Sequence, residues 1–460
     1  MKKLKDTFQD IIRYPSAIVG LLIVLALIVF SIYTMITIPY KEAIYLWKGT
    51  EEVVYKNPRN AQPTWSNWFR KDKLPESIDV YAGEDESFTK EVTPREKGGN
   101  QIEFNYELDY NYNELPQDIF MYFTSNYTDR NPFIVITMIT PSGEEIKVFD
   151  GGISQASNIR FGQEEKLLTR LIRLHGRDTE TQSQLKGVIE GLFTKIGSYP
   201  PEMNKGKYVI NVKATTFEEG SNVDAELVMH GTVFGLFGTD HMRRDLKVAI
   251  MWGAPIALAF GLTAALGTAL ISMFIAALGT WFGGWLDELI QRITEVNMVI
   301  PYLSILIMVG TFYSRSIWVL LLVTILLNIF SGSIKSQRAI FLQVRESTYI
   351  EAAKAYGTND FRIITRYMIP RVIPMIIPGL VSAVPAYVFL EASLAILGLG
   401  DPTVPTWGKI INDARTYGAL YQGMFYWILE PAVFLMITGL GFAMLGFALD
   451  RIFNPRLRGM

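Results

Sequence analysis

The chain contains six long stretches in which no Asp, Glu, Lys or Arg occurs. One stretch has 27 residues, one has 39, and four have 19 each. A helix needs about 20 mostly apolar residues to cross a bilayer, so we predict six membrane spans. In the longest stretch, Gly279, Gly283 and Gly284 indicate one span followed by a glycine-rich exit. The predicted spans lie near residues 17–38, 250–278, 296–313, 316–334, 374–397 and 428–449.

Residues 41–247 form a polar stretch between the first two predicted spans, too long for a simple loop. Apolar–polar alternation and short apolar runs between turn residues predict four strands, and two segments have helical spacing. The strands are expected at 101–111, 132–140, 207–216 and 224–234, and the helices at 163–174 and 182–196. The sequence therefore predicts an all-α polytopic membrane domain with an α+β domain inserted between helices 1 and 2.

Aromatic residues are frequent in and beside this insert. They include Trp47, Trp65, Trp68, Tyr106, Tyr110 and Tyr112. Such rings stack on sugars or peptides in binding sites, but they are more often core residues or members of the aromatic belt at a membrane surface. Both interpretations stay open from the sequence alone.

The charge distribution predicts the orientation in the membrane. Residues 41–247 carry a net charge of −7, whereas the remainder of the chain carries +5. Lys and Arg are in excess before the first span, within 333–375 and after the last span, and this excess marks the cytoplasmic side. We expect a multi-pass protein of the cytoplasmic membrane, with both termini cytoplasmic and residues 41–247 extracellular. The first apolar run exceeds the length of a signal-peptide core and has no cleavage site, so we expect an uncleaved helix.

Several classes of chemistry are excluded by residues that the chain lacks. There is no Cys, and no phosphate-binding loop of the Gly-x-x-x-x-Gly-Lys-Ser/Thr type occurs. His175, His230 and His241 are isolated, so we expect packed or solvated histidines and no metal, cofactor or catalytic residue. The acidic run 84–86 is interpreted as a solvated turn. A net charge of −2 argues against nucleic acid as a partner.

One cytoplasmic segment contains Glu351-Ala-Ala-Lys-Ala-Tyr-Gly357, followed by Tyr367-Met-Ile-Pro370. Ala353 and Gly357 lie four residues apart on one helix face, where a partner backbone can approach closely. Nearby basic side chains offer charge to an acidic surface. These are Lys354, Arg362 and Arg366.

This segment resembles the EAA motif of permease subunits of ATP-binding-cassette (ABC) importers. The resemblance implies a short helix that docks in a groove of the ATPase subunit and transmits its closure to the membrane helices. It assigns docking to Glu351, Ala352, Ala353 and Gly357, and it makes Pro370 the end of the segment. Tyr367 and Ile369 replace the Ile and Leu of the motif.

Three further stretches resemble the C-type subunit of the dipeptide/oligopeptide permease family. Gly238-Thr-Asp-His-Met-Arg-Arg-Asp245 and Trp252-Gly-Ala-Pro are similar to its GTDxxGRD…GA passage, with Arg243 where that family has Gly. Glu391-Ala-Ser-Leu and Pro405-Thr-Trp-Gly408 are similar to its EASL and PSWG motifs. The tail from Leu445 to Arg458 resembles its C-terminal motif. The insert lies outside the resemblance.

The resemblance implies a type I ABC importer permease fold. Residues 1–40 would form the N-terminus and first helix, 41–237 the insert, and 238–460 the permease core with its coupling loop at 333–375. The implied partners are a second, B-type permease, two ATPases that hold ATP and Mg, an extracellular solute-binding protein and the lipid bilayer.

The expected function is uptake of dipeptides or oligopeptides, and the subunit itself is not an enzyme. Oligosaccharides are the alternative substrate. A membrane-anchored enzyme or sensor that works through its outer domain, or a passive channel, are alternatives of other classes.

Glu391 and Pro385 are the candidates for the translocation path. A carboxylate inside a span is costly unless it pairs or faces water, so Glu391 either lines the path or stabilises a helix packing contact. Pro385, with Pro374 and Pro378, suggests kinks in a span that moves.

Overall fold

The structure is a computed structural model of the chain. It describes residues 14–81, 88–96, 98–176, 185–198 and 200–453. The chain divides into two compact units. One consists of Gly49–Lys247, and the other combines the chain before Gly49 with the chain after Lys247. We call them the insert unit and the helical unit. The acidic run 84–86, the start of the helix expected at 182–196 and the tail from residue 454 lie outside the described residues.

The unit boundaries lie later in the chain than the predicted boundaries at 40 and 237. Helix α1 (Pro15–Thr37) is followed by a second helix, α2 (Tyr40–Lys48), in the helical unit. Ala43 of α2 packs against Trp252, whose indole nitrogen donates to the carbonyl of Ile38 at 3.1 Å. On the other side, the Thr239 hydroxyl accepts from the Ala61 amide at 2.9 Å, which holds this stretch in the insert unit.

The insert unit is an α+β structure. Its helices are α3 (Glu51–Val54), α4 (Glu165–Leu174) and α5 (Val188–Phe193), with short 3₁₀ turns at Thr64–Phe69 and Phe161–Gln163. Its strands are β1 (Ile78–Tyr81), β2 (Phe88–Pro94), β3 (Asn100–Tyr110), β4 (Asp118–Asn126), β5 (Phe133–Ile139), β6 (Glu145–Gly152), β7 (Ala156–Arg160), β8 (Gly206–Thr215) and β9 (Asn222–His230). The structure has strands at all four predicted places. The helix predicted at 182–196 is shorter, because Thr194 leaves it to pair with Met203.

The described strands form two antiparallel sheets, in the orders β1-β9-β4-β7 and β2-β3-β8-β5-β6. Every second residue of β3, from Ile102 to Tyr110, is buried, as the alternation of apolar residues predicts. These side chains share one core with the inward residues of β4 and β9. The Tyr106 hydroxyl donates to the Ala225 carbonyl at 2.8 Å and joins the two sheets.

Most of the aromatic residues singled out in the sequence have a packing role. Trp47, Tyr106 and Tyr110 are buried, and Tyr112 packs against the core of the insert unit. Trp68 is the exception, because its ring is exposed.

The helical unit continues with nine described helices. They are α6 (Leu246–Phe282), α7 (Gly284–Val299), α8 (Tyr302–Phe312), α9 (Ile317–Ile329), α10 (Gly332–Arg345), α11 (Thr348–Ala355), α12 (Asp360–Leu399), α13 (Trp407–Thr416) and α14 (Tyr426–Phe453). Helix α6 ends before Gly283, whose φ of 63° breaks the helix, so the longest charge-free stretch holds one span and a glycine-rich exit.

Among the described residues, four helices are long and apolar enough to cross a membrane: α1, α6, α12 and α14. The third and fourth predicted spans fall on α8 and α9, which have only 11 and 13 residues. Each is one arm of a bent pair, α7–α8 at 75° and α9–α10 at 47°. The helical unit therefore has up to six spans, if each bent pair is counted as one.

Close approach of small residues joins α1 to α14. The buried residues of α1 recur every three or four positions, from Ala17 to Thr34. A side chain at Gly20 would meet the backbone nitrogen of Leu445 at 2.7 Å, and one at Gly441 would meet Ile23 at 2.5 Å. Such pairs let apolar helices pack backbone to backbone inside a membrane.

Candidate functional site

Helix α11 holds the segment that the sequence analysis assigned to ATPase docking. The helix ends in a Schellman motif: the Gly357 amide donates to the Lys354 carbonyl at 2.9 Å, and the Thr358 amide donates to the Ala353 carbonyl at 3.1 Å. Gly357 has a φ of 72° and lies after the helix. The left-handed backbone of this turn therefore favours glycine at position 357.

Ala353 points into the chain. It is 7% exposed and belongs to a core cluster with Ile350, Ile364 and Met368. The docking face expected from the four-residue spacing of Ala353 and Gly357 is therefore not formed, because one residue is buried and the other is outside the helix. Glu351 and Ala352 are exposed.

Two exposed aromatic residues follow this helix, and neither was predicted from the sequence. Tyr356 is 89% exposed and Phe361 is 59% exposed. The Lys354 ammonium lies 4.6 Å from the centre of the Trp281 ring, which anchors this side chain beside them. We call Glu351, Ala352, Lys354, Tyr356 and Phe361 the docking face.

Pro370, which the motif makes the end of the docking segment, follows directly on the start of an α-helical stretch at Ile369. It lies in the first turn of the α-helical part of α12, and the helix runs on to Leu399. The preceding residues form a π-helical stretch, Ile363–Met368, in which the Ile369 amide bonds to the Ile364 carbonyl five residues back. A proline that lacks an N–H is tolerated at the start of an α-helical stretch.

The bent helices beside the docking face are tied to each other by polar contacts. Arg338 of α10 donates to Asp287 of α7 through Nε at 2.7 Å and Nη2 at 2.5 Å. The Asn297 amide donates to the carbonyls of Leu327 and Phe330, both at 2.7 Å, where α9 ends. These bonds satisfy carbonyls that the break between α9 and α10 leaves without a helical partner.

Three motifs of the family resemblance meet in one packed junction. The Trp407 ring lies where a side chain at Gly253 would stand, and its nitrogen donates to the Ile250 carbonyl at 2.9 Å. A side chain at Gly408 would meet the backbone of Ala392 at 2.7 Å. The Thr406 hydroxyl accepts from the Lys409 amide at 3.2 Å, which caps α13.

Glu391 is 6% exposed, and Pro385 is also buried. Neither residue lines the cavity that α6, α10 and α12 form in the helical unit. The position of Glu391 agrees with the packing alternative of the sequence analysis.

One cavity in the helical unit has a volume of about 360 Å³ and is lined by α6, α12 and the start of α10. Its polar lining is neutral: Thr268, Ser333, Gln337 and Tyr387 contribute hydroxyl and amide groups. The Tyr387 hydroxyl donates to the Thr268 hydroxyl at 3.4 Å. Gln337 is buried, and its side-chain oxygen, Oε1, has no hydrogen-bond partner within the described part of the chain. A neutral polar pocket among apolar helices was not predicted, since its residues come from three distant segments.

Within the described residues there is no group of three or more His, Asp or Glu side chains that can hold a metal ion. His175 and His230 are both buried, and their Nε2 atoms bond to the carbonyls of Gly191 and Tyr55 at 3.0 and 2.8 Å. Both are packed histidines, as predicted.

Comparisons with known proteins connect this geometry to a family. The model of the binding-protein-dependent transport system inner membrane component matches residues 269–459. The dipeptide transport system permease protein DppC of Bacillus subtilis (strain 168) is 31% identical over 223 residues, which are 48% of this chain and 69% of the relative. This chain belongs to the family of binding-protein-dependent transport system inner membrane components.

Two other relatives agree with this assignment. A dipeptide permease DppC of Alkalihalophilus pseudofirmus is 29% identical over 225 residues, 48% of this chain and 72% of the relative. The glutathione transport system permease GsiD of Escherichia coli O6:K15:H31 is 29% identical over 224 residues, 48% of this chain and 73% of the relative. The family model begins at residue 269, after the insert unit.

Family membership establishes several of the expectations. The permease is a multi-pass inner-membrane subunit of an ABC importer, a complex that also contains ATPase and binding-protein components, and it is not itself an enzyme. The alternative of a membrane-anchored enzyme or sensor is not favoured by this result.

Proposed function

We propose that this permease is the C-type subunit of an importer for dipeptides or short oligopeptides. The relatives are named for dipeptides and for glutathione, which is itself a small peptide, and this supports peptides over oligosaccharides. In this proposal it pairs with a B-type permease and two ATPases, which hold ATP and Mg, and an extracellular binding protein delivers the peptide.

The observation that carries the proposal is the connection between the docking face and α12. Ile350 and Ala353 on the inner side of α11 share one core cluster with Met368 and Val372 of α12. A push on the exposed side of α11 is therefore transmitted through close-packed side chains to the longest helix of the unit. We assign docking to Glu351, Ala352 and the exposed aromatic rings, and we give Ala353 and Gly357 the role of fixing the helix.

The docking face is tested by removing its aromatic side chains. The double variant Tyr356→Ala with Phe361→Ala is expected to lose the ATPases during purification and to lower uptake at least about tenfold, as loss of aromatic anchors does at interfaces. Tyr421→Ala is the matched control, because Tyr421 is 98% exposed but lies in the loop before α14. Full retention of the ATPases by the double variant would contradict the proposal.

The topology belongs to the same proposal. We infer six spans, with both termini cytoplasmic and the insert unit outside, from the charge distribution and the two bent helix pairs. The chain has no Cys, so single cysteines report their own location. We expect Glu91→Cys to react with a membrane-impermeant maleimide on intact cells. Glu346→Cys, whose position is exposed outside the docking face, is expected to react only after lysis. The reverse pattern would contradict the orientation.

We further propose that the substrate passes through the neutral polar cavity of the helical unit rather than along Glu391 and Pro385. Hydroxyl and amide groups can bond to peptide backbone without selecting charge. Gln337→Leu is therefore expected to impair uptake while the ATPases stay bound. Normal uptake by this variant would remove the cavity from the path.

A further inference from the structure

The outer face of the four-stranded sheet in the insert unit carries a row of polar and aromatic side chains. The strand registers pair Tyr81 with Glu226, Glu226 with Tyr122, and Tyr122 with Asn158. Tyr122 and Asn158 stand on one side of the sheet, while Phe123 and Ile159 on the other side belong to the core. This row crosses all four strands of the sheet.

A cavity of about 780 Å³ lies over this row, within the size range of small-molecule sites. Helix α3 and the residue after it form its other wall. The lining residues that matter here are Glu51, Tyr55, Tyr122, Ser157, Asn158 and Glu226.

The walls are held by contacts within the insert unit. The Tyr55 and Tyr122 rings meet edge to face, with centres 4.6 Å apart. The Tyr55 hydroxyl donates to Glu226 at 3.2 Å, and Lys56 pairs with both Glu226 and Asp79. Glu226 is thereby engaged, whereas Glu51 is exposed in the first turn of α3. Among the described residues that line the cavity, Glu51 and Glu226 are charged and none is basic, so the cavity attracts a cation. Lys56 and Arg243 lie outside this lining.

One strand that lines the cavity is open to pairing. In the described sheet β7 is an edge strand, hydrogen-bonded to β4 on one side, and it supplies Ser157 and Asn158 to the cavity. Extended peptides bind to such edges by adding a strand, with affinity from the main-chain hydrogen bonds.

We propose that this cavity binds the ammonium end of an extended peptide. The peptide backbone pairs with β7, and its ammonium group bonds to Glu51 beside the edge-to-face pair of Tyr55 and Tyr122. The inference rests on the proposed function, since it makes the insert unit a second receptor for the peptides that the importer carries. A sugar stacked on the tyrosines is the competing occupant, and the test separates the two.

The test measures binding of tri-alanine to the full-length permease, purified in detergent without a binding protein, by isothermal titration calorimetry. Saturable binding is expected. N-acetylated tri-alanine is expected to bind at least about tenfold more weakly, because it has no ammonium group and loses one charge-assisted hydrogen bond. Glu51→Gln is expected to weaken tri-alanine binding by a similar factor. Glu91→Gln is the matched control, because it removes an exposed carboxylate from β2 of the other sheet.

Three results would overturn the inference: no saturable binding of tri-alanine, equal binding of the acetylated peptide, or binding that Glu51→Gln leaves unchanged. Binding of maltotriose but not of tri-alanine would also overturn it. Because Glu51 is exposed, its replacement does not threaten folding.

Uptake of tri-alanine by the complete importer in proteoliposomes is measured in parallel. Uptake without binding to the cavity overturns this inference and leaves the proposed function standing. Binding through Glu51 without any uptake of peptide supports the site and counts against the proposed substrate.

Discussion

The Trp407 ring fills the space in which Gly253 lacks a side chain. A Cβ atom at Gly253 would lie 2.2 Å from both Cδ1 and Nε1 of the indole. The two residues belong to motifs separated by more than 150 positions, Trp252-Gly-Ala-Pro and Pro405-Thr-Trp-Gly408. The motifs that the family shares here therefore serve one packing contact between α6 and α13.

Gly253→Ala is expected to destabilise the permease by about 1–3 kcal/mol, the usual cost of overpacking. The added methyl group forces the indole away and strains its bond to the Ile250 carbonyl. Thermal unfolding of the purified chain measures the effect. Gly379→Ala is the control, because no atom lies within 4 Å of the added Cβ there. Equal melting temperatures for the two variants would refute this account of the junction.

Arg243 occupies a backbone position that suits glycine. Its φ is 63°, and it stands where the resembling family has Gly. The guanidinium lies 5.6 Å from the centre of the Phe120 ring, a contact that offsets part of the backbone cost.

We expect Arg243→Gly to be more stable than Arg243→Ala by about 1 kcal/mol. Both variants lose the ring contact, but only glycine adopts a left-handed conformation without strain. Chemical or thermal unfolding of the two variants provides the comparison. Equal stability would mean that the strain is relieved in another way.

The strands and the membrane segments could be predicted from the sequence, because each depends on residues that are close together in the chain. The strand positions follow from alternation along β3 and β8, and the membrane segments follow from runs without charge. The bend of 75° between α7 and α8 was not predicted. A run without charged residues shows that a segment is apolar, but it gives no information on the direction of the backbone. Pro301 lies at this break.

The candidate site was predicted in place but not in detail. The motif located α11, yet the spacing argument assumed a helix that continues through Gly357, where a left-handed turn ends it. Burial of Ala353 depends on Ile350, Ile364 and Met368 packing around it, which is a tertiary property. The exposed ring of Tyr356 has no signal in a single sequence, since exposure is decided by the same packing.

The ion pair between Asp287 and Arg338 is expected to stabilise the bent helices. A double-mutant cycle with Asp287→Asn and Arg338→Gln should give a coupling energy of about 1–2 kcal/mol. The pair is bidentate, and its carboxylate is largely buried. Arg292 and Glu295 are the control pair, exposed and three residues apart, with an expected coupling below about 0.5 kcal/mol. A coupling energy no larger than that of the control would contradict the role of the pair.

His230 is expected to make the insert unit sensitive to acid. Burial lowers the pKa of His230 to about 4, and Arg243 nearby acts in the same direction. The unfolded chain takes up this proton near pH 6.5 and the folded chain only near pH 4, so stability is complete above the first value and falls between the two. At about 1.4 kcal/mol for each pKa unit, the loss between pH 7 and pH 4.5 is about 2.5 kcal/mol. The free energy of unfolding of the wild type and of His230→Gln is measured from pH 7 to pH 4.5. We expect it to fall less with pH in the variant. Parallel curves would show that other groups cause the acid sensitivity.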